Sequence, residues 1–127
     1  MKLLFGLFLV AHGLVHVLFM VPRPADAGAS WPFDPSESWL LNRLGVEPDL
    51  ARVIAAGLVA VTVVAFIVTA LTVIGILPAD WLRPIAAASA SVSLILLGIF
   101  FHPWLVIGIA IDVAILWAVG INGWIPR

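Results

Sequence analysis

Two histidines four residues apart, His12 and His16, stand in the apolar run VAHGLVHVLF at residues 10–19, and one carboxylate, Asp112, stands in the equally apolar IGIAIDVAILW. Residues i and i+4 of a helix project from the same face, so the two imidazoles form one donor array. Two imidazoles and a carboxylate support several chemistries. The plainest is an interhelical polar pair, His12 with Asp112, that fixes packing. The same three side chains could hold a divalent metal, because i,i+4 imidazoles chelate one ion and leave positions for a carboxylate and water. Nothing supplies a clear fourth protein ligand, and the stretch lacks the glutamate of the helical zinc-protease pattern.

Tetrapyrrole binding is more restricted. His12 and His16 lie on one side of one helix and cannot clamp a haem between them, so a bis-histidine site would have to pair His16 with His102. Single-histidine ligation of a haem or chlorophyll stays open. Neither a metal nor a tetrapyrrole is favoured over no cofactor. A third chemistry is a proton or solute path, since ionisable groups inside a membrane are functional-site candidates by default. Its inner half offers only Thr69, Thr72 and Asn122.

The surroundings of these residues set their chemistry. The 127-residue chain is 64% hydrophobic and 10% charged, with a mean hydropathy of +1.22, far more apolar than soluble domains. This composition predicts a membrane protein. With no cysteine, disulfides, thiolate metal sites and cysteine nucleophiles are excluded. The net charge of −1 provides no basic footprint, so nucleic acid is not an expected partner.

A hydrocarbon layer of ~30 Å needs ~20 helical residues, and four apolar runs meet that length, over roughly 3–21, 52–77, 84–102 and 104–125. The first run, with Lys2 before it and ADA at 25–27, also has the outline of a secretory signal. Its length and its two histidines favour a retained helix.

In FDPSESWLLNRLG, Asp34 is placed to cap a helix, Pro35 to open it, Glu37 to cap reciprocally and Gly45 to end it, which predicts a short helix over 35–44 lying at the interface. Pro48, Pro84 and Pro103 punctuate the later spans, and the short turn at 102–103 makes the last two antiparallel neighbours. His102 is expected at a helix C-terminus, where an imidazole complements exposed carbonyls. Five tryptophans, Trp31, Trp39, Trp81, Trp104 and Trp124, fall near span ends as an aromatic belt would.

At ~1.5 Å per residue, His12, Asp112, Ser93 and Thr62 all fall about 12–15 Å below one membrane face, with His16 a turn outward. The predicted intramembrane polar centre is therefore His12, His16, Asp112, Ser93 and Thr62. His12 is the group at the depth of Asp112 that can neutralise it, either as an ion pair or as a neutral hydrogen bond.

The stretches HGLVH, SWLLNRLG and FFHPWLVIGIAIDVAILW together resemble small bacterial four-helix membrane proteins with an HGLxH-type first helix. The resemblance implies the fold and a bacterial membrane setting, and implies no activity. The expectation is an all-α polytopic membrane protein, one domain over 1–127. Its four transmembrane helices form an antiparallel bundle, with a short interfacial helix in the first loop.

Basic residues divide evenly between the two faces, so orientation rests on Lys2 at the start of the first span and on the long acidic segment 22–51. Both termini are thus expected to be cytoplasmic and the segment 22–51 extracytoplasmic, in a bacterial inner membrane. The expected function is that of a small membrane binding or accessory protein, alone or as a subunit of a larger complex or homo-oligomer. The alternatives are a metal- or haem-dependent redox enzyme using His12, His16 and Asp112, and a small proton or solute transporter.

Overall fold

A computed structural model describes residues 1–28 and 31–122, and every regular element among them is helical. In chain order these are α1 (Lys2–Val15), a short α2 (Trp39–Arg43), α3 (Pro48–Val73), α4 (Leu82–Ile99) and α5 (Val106–Trp117). Tighter turns extend three of them: His16–Met20 after α1, Ala79–Trp81 before α4 and Pro103–Leu105 before α5. With these extensions, four helices are long and apolar enough to cross a membrane, over Lys2–Met20, Pro48–Val73, Ala79–Ile99 and Pro103–Gly120. Trp124, Arg127 and the expected end of the last span at 125 lie outside the described residues.

Several boundaries differ from expectation for local reasons. The second long helix begins at Pro48, the opening residue expected ahead of the apolar run at 52, because proline at the first helical position gives up an N–H that would have no partner there. It ends at Val73 rather than 77, because Gly75 adopts φ +87° and the Ile76 N–H turns back to the Leu71 carbonyl. The expected single helix over 35–44 is two elements, a turn at Pro35–Glu37 and then α2. Asp34 caps the turn as expected, accepting from the Ser36 N–H at 3.0 Å. Glu37 does not cap it but faces Arg23 at 3.3 Å. Ser38 restarts the helix, accepting from the Leu41 N–H while its own hydroxyl donates to the Ile99 carbonyl at 2.6 Å.

His102 also departs from expectation. It sits in extended backbone before Pro103–Leu105 and accepts from the Trp104 N–H through Nδ1 at 3.3 Å, so it caps the N-terminal side of the following turn. The helix before it has already ended at Ile99.

α1 packs along α3, α3 along α4 and α4 along α5, whereas α1 and α5 touch only marginally among the described residues. The row is therefore open along one flank. Close approach of α1 to α3 depends on Gly13, where an added Cβ would stand 2.8 Å from Phe66 Cβ. Between α3 and α4 the interface is made of small residues, with Ala55, Ala86, Ser89, Ala90 and Ser93 all fully buried. Large apolar side chains such as Leu3, Val53, Val64 and Ile107 point outward. Polar groups inside and apolar groups outside reverse the usual soluble pattern.

The Gly13 contact makes a prediction. Gly13→Ala should lower stability by about 1–3 kcal/mol, because Phe66 Cβ lies on a helix that is itself packed on both sides. Gly57→Ala, where a Cβ meets nothing within 4 Å, should not. Thermal midpoints in detergent compare the two.

Candidate functional site

Two apolar clusters fill the interior. One is built on Leu9, Phe66, Ala90 and Ile115, the other on Phe19, Val59, Leu96 and Leu105. Each long helix passes from one cluster to the other, and each places a polar residue at the crossing: His12 and His16, Thr62, Ser93 and Asp112. All five are buried, Asp112, Thr62 and Ser93 completely.

Four of the five are joined by hydrogen bonds. His12 Nε2 lies 2.9 Å from Asp112 Oδ1. Ser93 Oγ lies 2.5 Å from Asp112 Oδ2 and 2.9 Å from His16 Nε2. The ring of Phe66 meets His12 edge-on at 5.0 Å and stacks near His16, walling the centre on the α3 side.

The orientation of His16 follows from the backbone. At the end of α1 its N–H turns to Gly13 O, three residues back, and the chain continues in the tighter helix His16–Met20. His16 Nδ1 then lies 3.0 Å from His12 O and 3.2 Å from Gly13 O. Carbonyl oxygens only accept, so Nδ1 carries a proton and Nε2 points at Ser93.

Counting protons across the network restricts its states. Three contacts, His12 to Asp112, Asp112 to Ser93 and Ser93 to His16, each need one hydrogen, and the serine hydroxyl provides only one. The His12 contact takes its hydrogen from Nε2, because a hydrogen on Asp112 Oδ1 would set a cationic His16 beside a neutral acid and leave a buried net charge. The remaining one comes from Nε2 of a cationic His16 beside an ionised Asp112, or from Oδ2 of a neutral Asp112 beside a neutral His16. Both arrangements satisfy every contact without net charge in a dry interior, where an unbalanced charge is costly. They differ by one proton shifted through Ser93.

In both, His12 is neutral and protonated on Nε2, so its Nδ1 holds a lone pair. Nδ1 has no hydrogen-bond partner among the described residues, and it is not sealed in protein: the buried side-chain nitrogen without a partner among them is Trp31 Nε1.

His12 and His16 line a cleft of about 320 Å³ that occupies the open flank between α1 and α5. Phe8 and Val15 on one side and Ile107 and Trp104 on the other form its rim, all substantially exposed. A second cavity of about 410 Å³, carrying Arg23, Arg52 and Trp31, shares the walls Phe19 and Phe33. Neither cavity is legible in the sequence, because each is a gap between distant segments.

Thr62 shares the burial of the centre but not its bonds, since its hydroxyl donates to Leu58 O of its own helix at 2.7 Å. Thr69 pairs with Ser89 at 2.9 Å, a link between α3 and α4 that sequence reasoning missed. Among the described residues no hydrogen bond joins this pair to the His12 network, and the side chain of Asn122 lies outside the described residues.

One ligand atom from each of His12, His16 and Asp112 lies within 4.8 Å of the others, so the metal donor set expected from sequence is assembled. For the other pair weighed from sequence, His16 bonds to backbone carbonyls and Ser93, and His102 bonds through Nδ1 to the Trp104 N–H.

Comparison with known proteins finds no matching family model, no similar curated protein and no matching solved structure.

Proposed function

We propose that this chain is a small integral membrane binding protein, acting alone or as an accessory subunit of a larger assembly, whose buried His–Ser–Asp centre anchors a ligand entering from the lipid phase. The observation that carries this reading is the cleft between α1 and α5, apolar along its walls and polar at His12. Ligand sites are typically apolar cavities with a few placed polar groups, and this one opens on a flank that would face lipid. Four spans in antiparallel order, in a bacterial inner membrane with cytoplasmic termini, fit the sequence resemblance and the position of Lys2.

The test is photolabelling of the protein in lipid nanodiscs with a diazirine-bearing alkane. Labels are expected to concentrate on Ala11, Val15, Ile107 and Ile111 and to fall sharply in Ala11→Phe, which fills the cleft from an exposed position. Labelling spread evenly over Leu3, Val53 and Val64, and indifferent to Ala11→Phe, would overturn the reading.

A divalent metal at His12, His16 and Asp112 is the second reading. It is favoured by the convergence of the three donors and by the carbonyl bonds on His16 Nδ1, which orient ligating imidazoles in metal sites. Elemental analysis decides it. A stoichiometric metal that disappears in Asp112→Asn supports this reading, and equal content in both proteins removes Asp112 as a ligand.

A further inference from the structure

We infer that the cleft selects a membrane-soluble phenol, whose hydroxyl donates its hydrogen to Nδ1 of His12 while its ring and apolar tail lie between α1 and α5. This rests on the cleft being a ligand site, and adds the chemical class that fills it.

The polarity of the anchor comes from the proton count. Both satisfied arrangements of the His12–Asp112–Ser93–His16 chain place the His12 proton on Nε2, toward Asp112 at 2.9 Å. The nitrogen left for a ligand is thus an acceptor, and an acceptor recognises O–H or N–H rather than a carbonyl or an ether. His12 is more than nine-tenths buried, so a donor that reaches it is shielded from water. A donor held there meets little competition from solvent. The other imidazole, His16, offers an organic donor no free nitrogen, because backbone carbonyls hold one and Ser93 the other.

The walls choose among hydroxyl compounds. The cleft carries the rings of Phe8, Phe19, Phe33 and Trp104 beside that of His12, and Phe8 is already stacked parallel to His12 at 6.2 Å. Aromatic walls pack a flat ring face-to-face and edge-to-face, an arrangement an alkyl alcohol does not exploit. A phenol also donates a stronger hydrogen bond than an alkanol, its hydroxyl being far more acidic. No Lys, Arg, Asp or Glu among the described residues lines this cleft, and His16 is turned to Ser93 and its own backbone, so an anionic or zwitterionic headgroup finds no free counterpart in it.

The experiment is competition against the diazirine alkane in nanodiscs, using para-octylphenol and its methyl ether, para-octylanisole, with the full chain. Half-displacement by the phenol is expected at a concentration about tenfold lower than by the ether, the worth of one shielded hydrogen bond. Octanol should fall between them. Nitrogen-15 spectra of histidine-labelled protein provide a readout independent of labelling and of any variant. The His12 Nδ1 resonance should lie in the unprotonated range without ligand and move on adding the phenol but not the ether.

Equal displacement by phenol and ether, stronger displacement by a ketone of the same length, or a protonated His12 Nδ1 would each overturn the inference while the cleft itself still labels. Failure to label the cleft at all would overturn the binding reading beneath it.

Discussion

Asp112→Asn is expected to fold with nearly the stability of the parent protein, whereas Asp112→Ala is expected to lose about 3–5 kcal/mol. The reason lies in which atoms the centre needs at position 112. One oxygen accepts from His12 Nε2, and the other atom shares a hydrogen with Ser93. An asparagine supplies both: its carbonyl takes the His12 bond, and its amide donates to Ser93, which then donates to a neutral His16. That reproduces the uncharged arrangement bond for bond.

Alanine instead leaves His12 Nε2–H without a partner and Ser93 with His16 alone in a buried site, and any charge on His16 without a counterion. Chemical or thermal unfolding in detergent separates the two outcomes. Should asparagine prove as damaging as alanine, the carboxylate charge itself would hold the helices together, and the uncharged arrangement would be eliminated.

Ser93→Ala is the second large effect, and it differs in kind. One hydroxyl bridges α4 to both other helices of the network, so its removal leaves Asp112 Oδ2 and His16 Nε2 unpartnered together. Each such group costs about 1–3 kcal/mol. The loss should therefore exceed that of an ordinary buried serine, such as Ser89→Ala, where the partner Thr69 keeps its bond to Ala65 O. Ser93→Ala and Asp112→Ala should also be strongly non-additive, because they disrupt one chain of bonds. Simple summation in a double-mutant cycle would mean that Ser93 and Asp112 act separately.

Much of the fold is legible in local chemistry. Four apolar runs of the right length become the four long helices, and Pro48, Asp34 and Gly45 mark ends because each acts on its own backbone. The polar exceptions in those runs are conspicuous, and comparing their depths along straight helices is enough to bring His12, Ser93 and Asp112 to one level. A carboxylate in an apolar interior requires a partner, and His12 is the residue at its depth that can serve, so the pair follows from sequence.

What needed tertiary structure is the direction in which each group bonds. Thr62 has the right depth and the right burial, yet its hydroxyl returns to Leu58 O, a satisfaction available within any helix. His16 lies a turn outward of the pair by spacing and is joined to it through Ser93, because the tightening of the helix after Val15 directs its ring there. His102 caps the turn that follows it and not the helix that precedes it, since that helix stops at Ile99, short of the sequence boundary.

The cleft and the proton count lay furthest out of reach. Composition and periodicity specify which face of a helix is apolar, but not which two helices fail to meet. Nor do they specify distances of 2.5–3.0 Å, at which a shared hydrogen becomes obligatory. A chain's own residues determine its helices, because helix bonds close within five residues. The identity of a hydrogen-bond partner 19, 77 or 100 residues away is decided by packing alone.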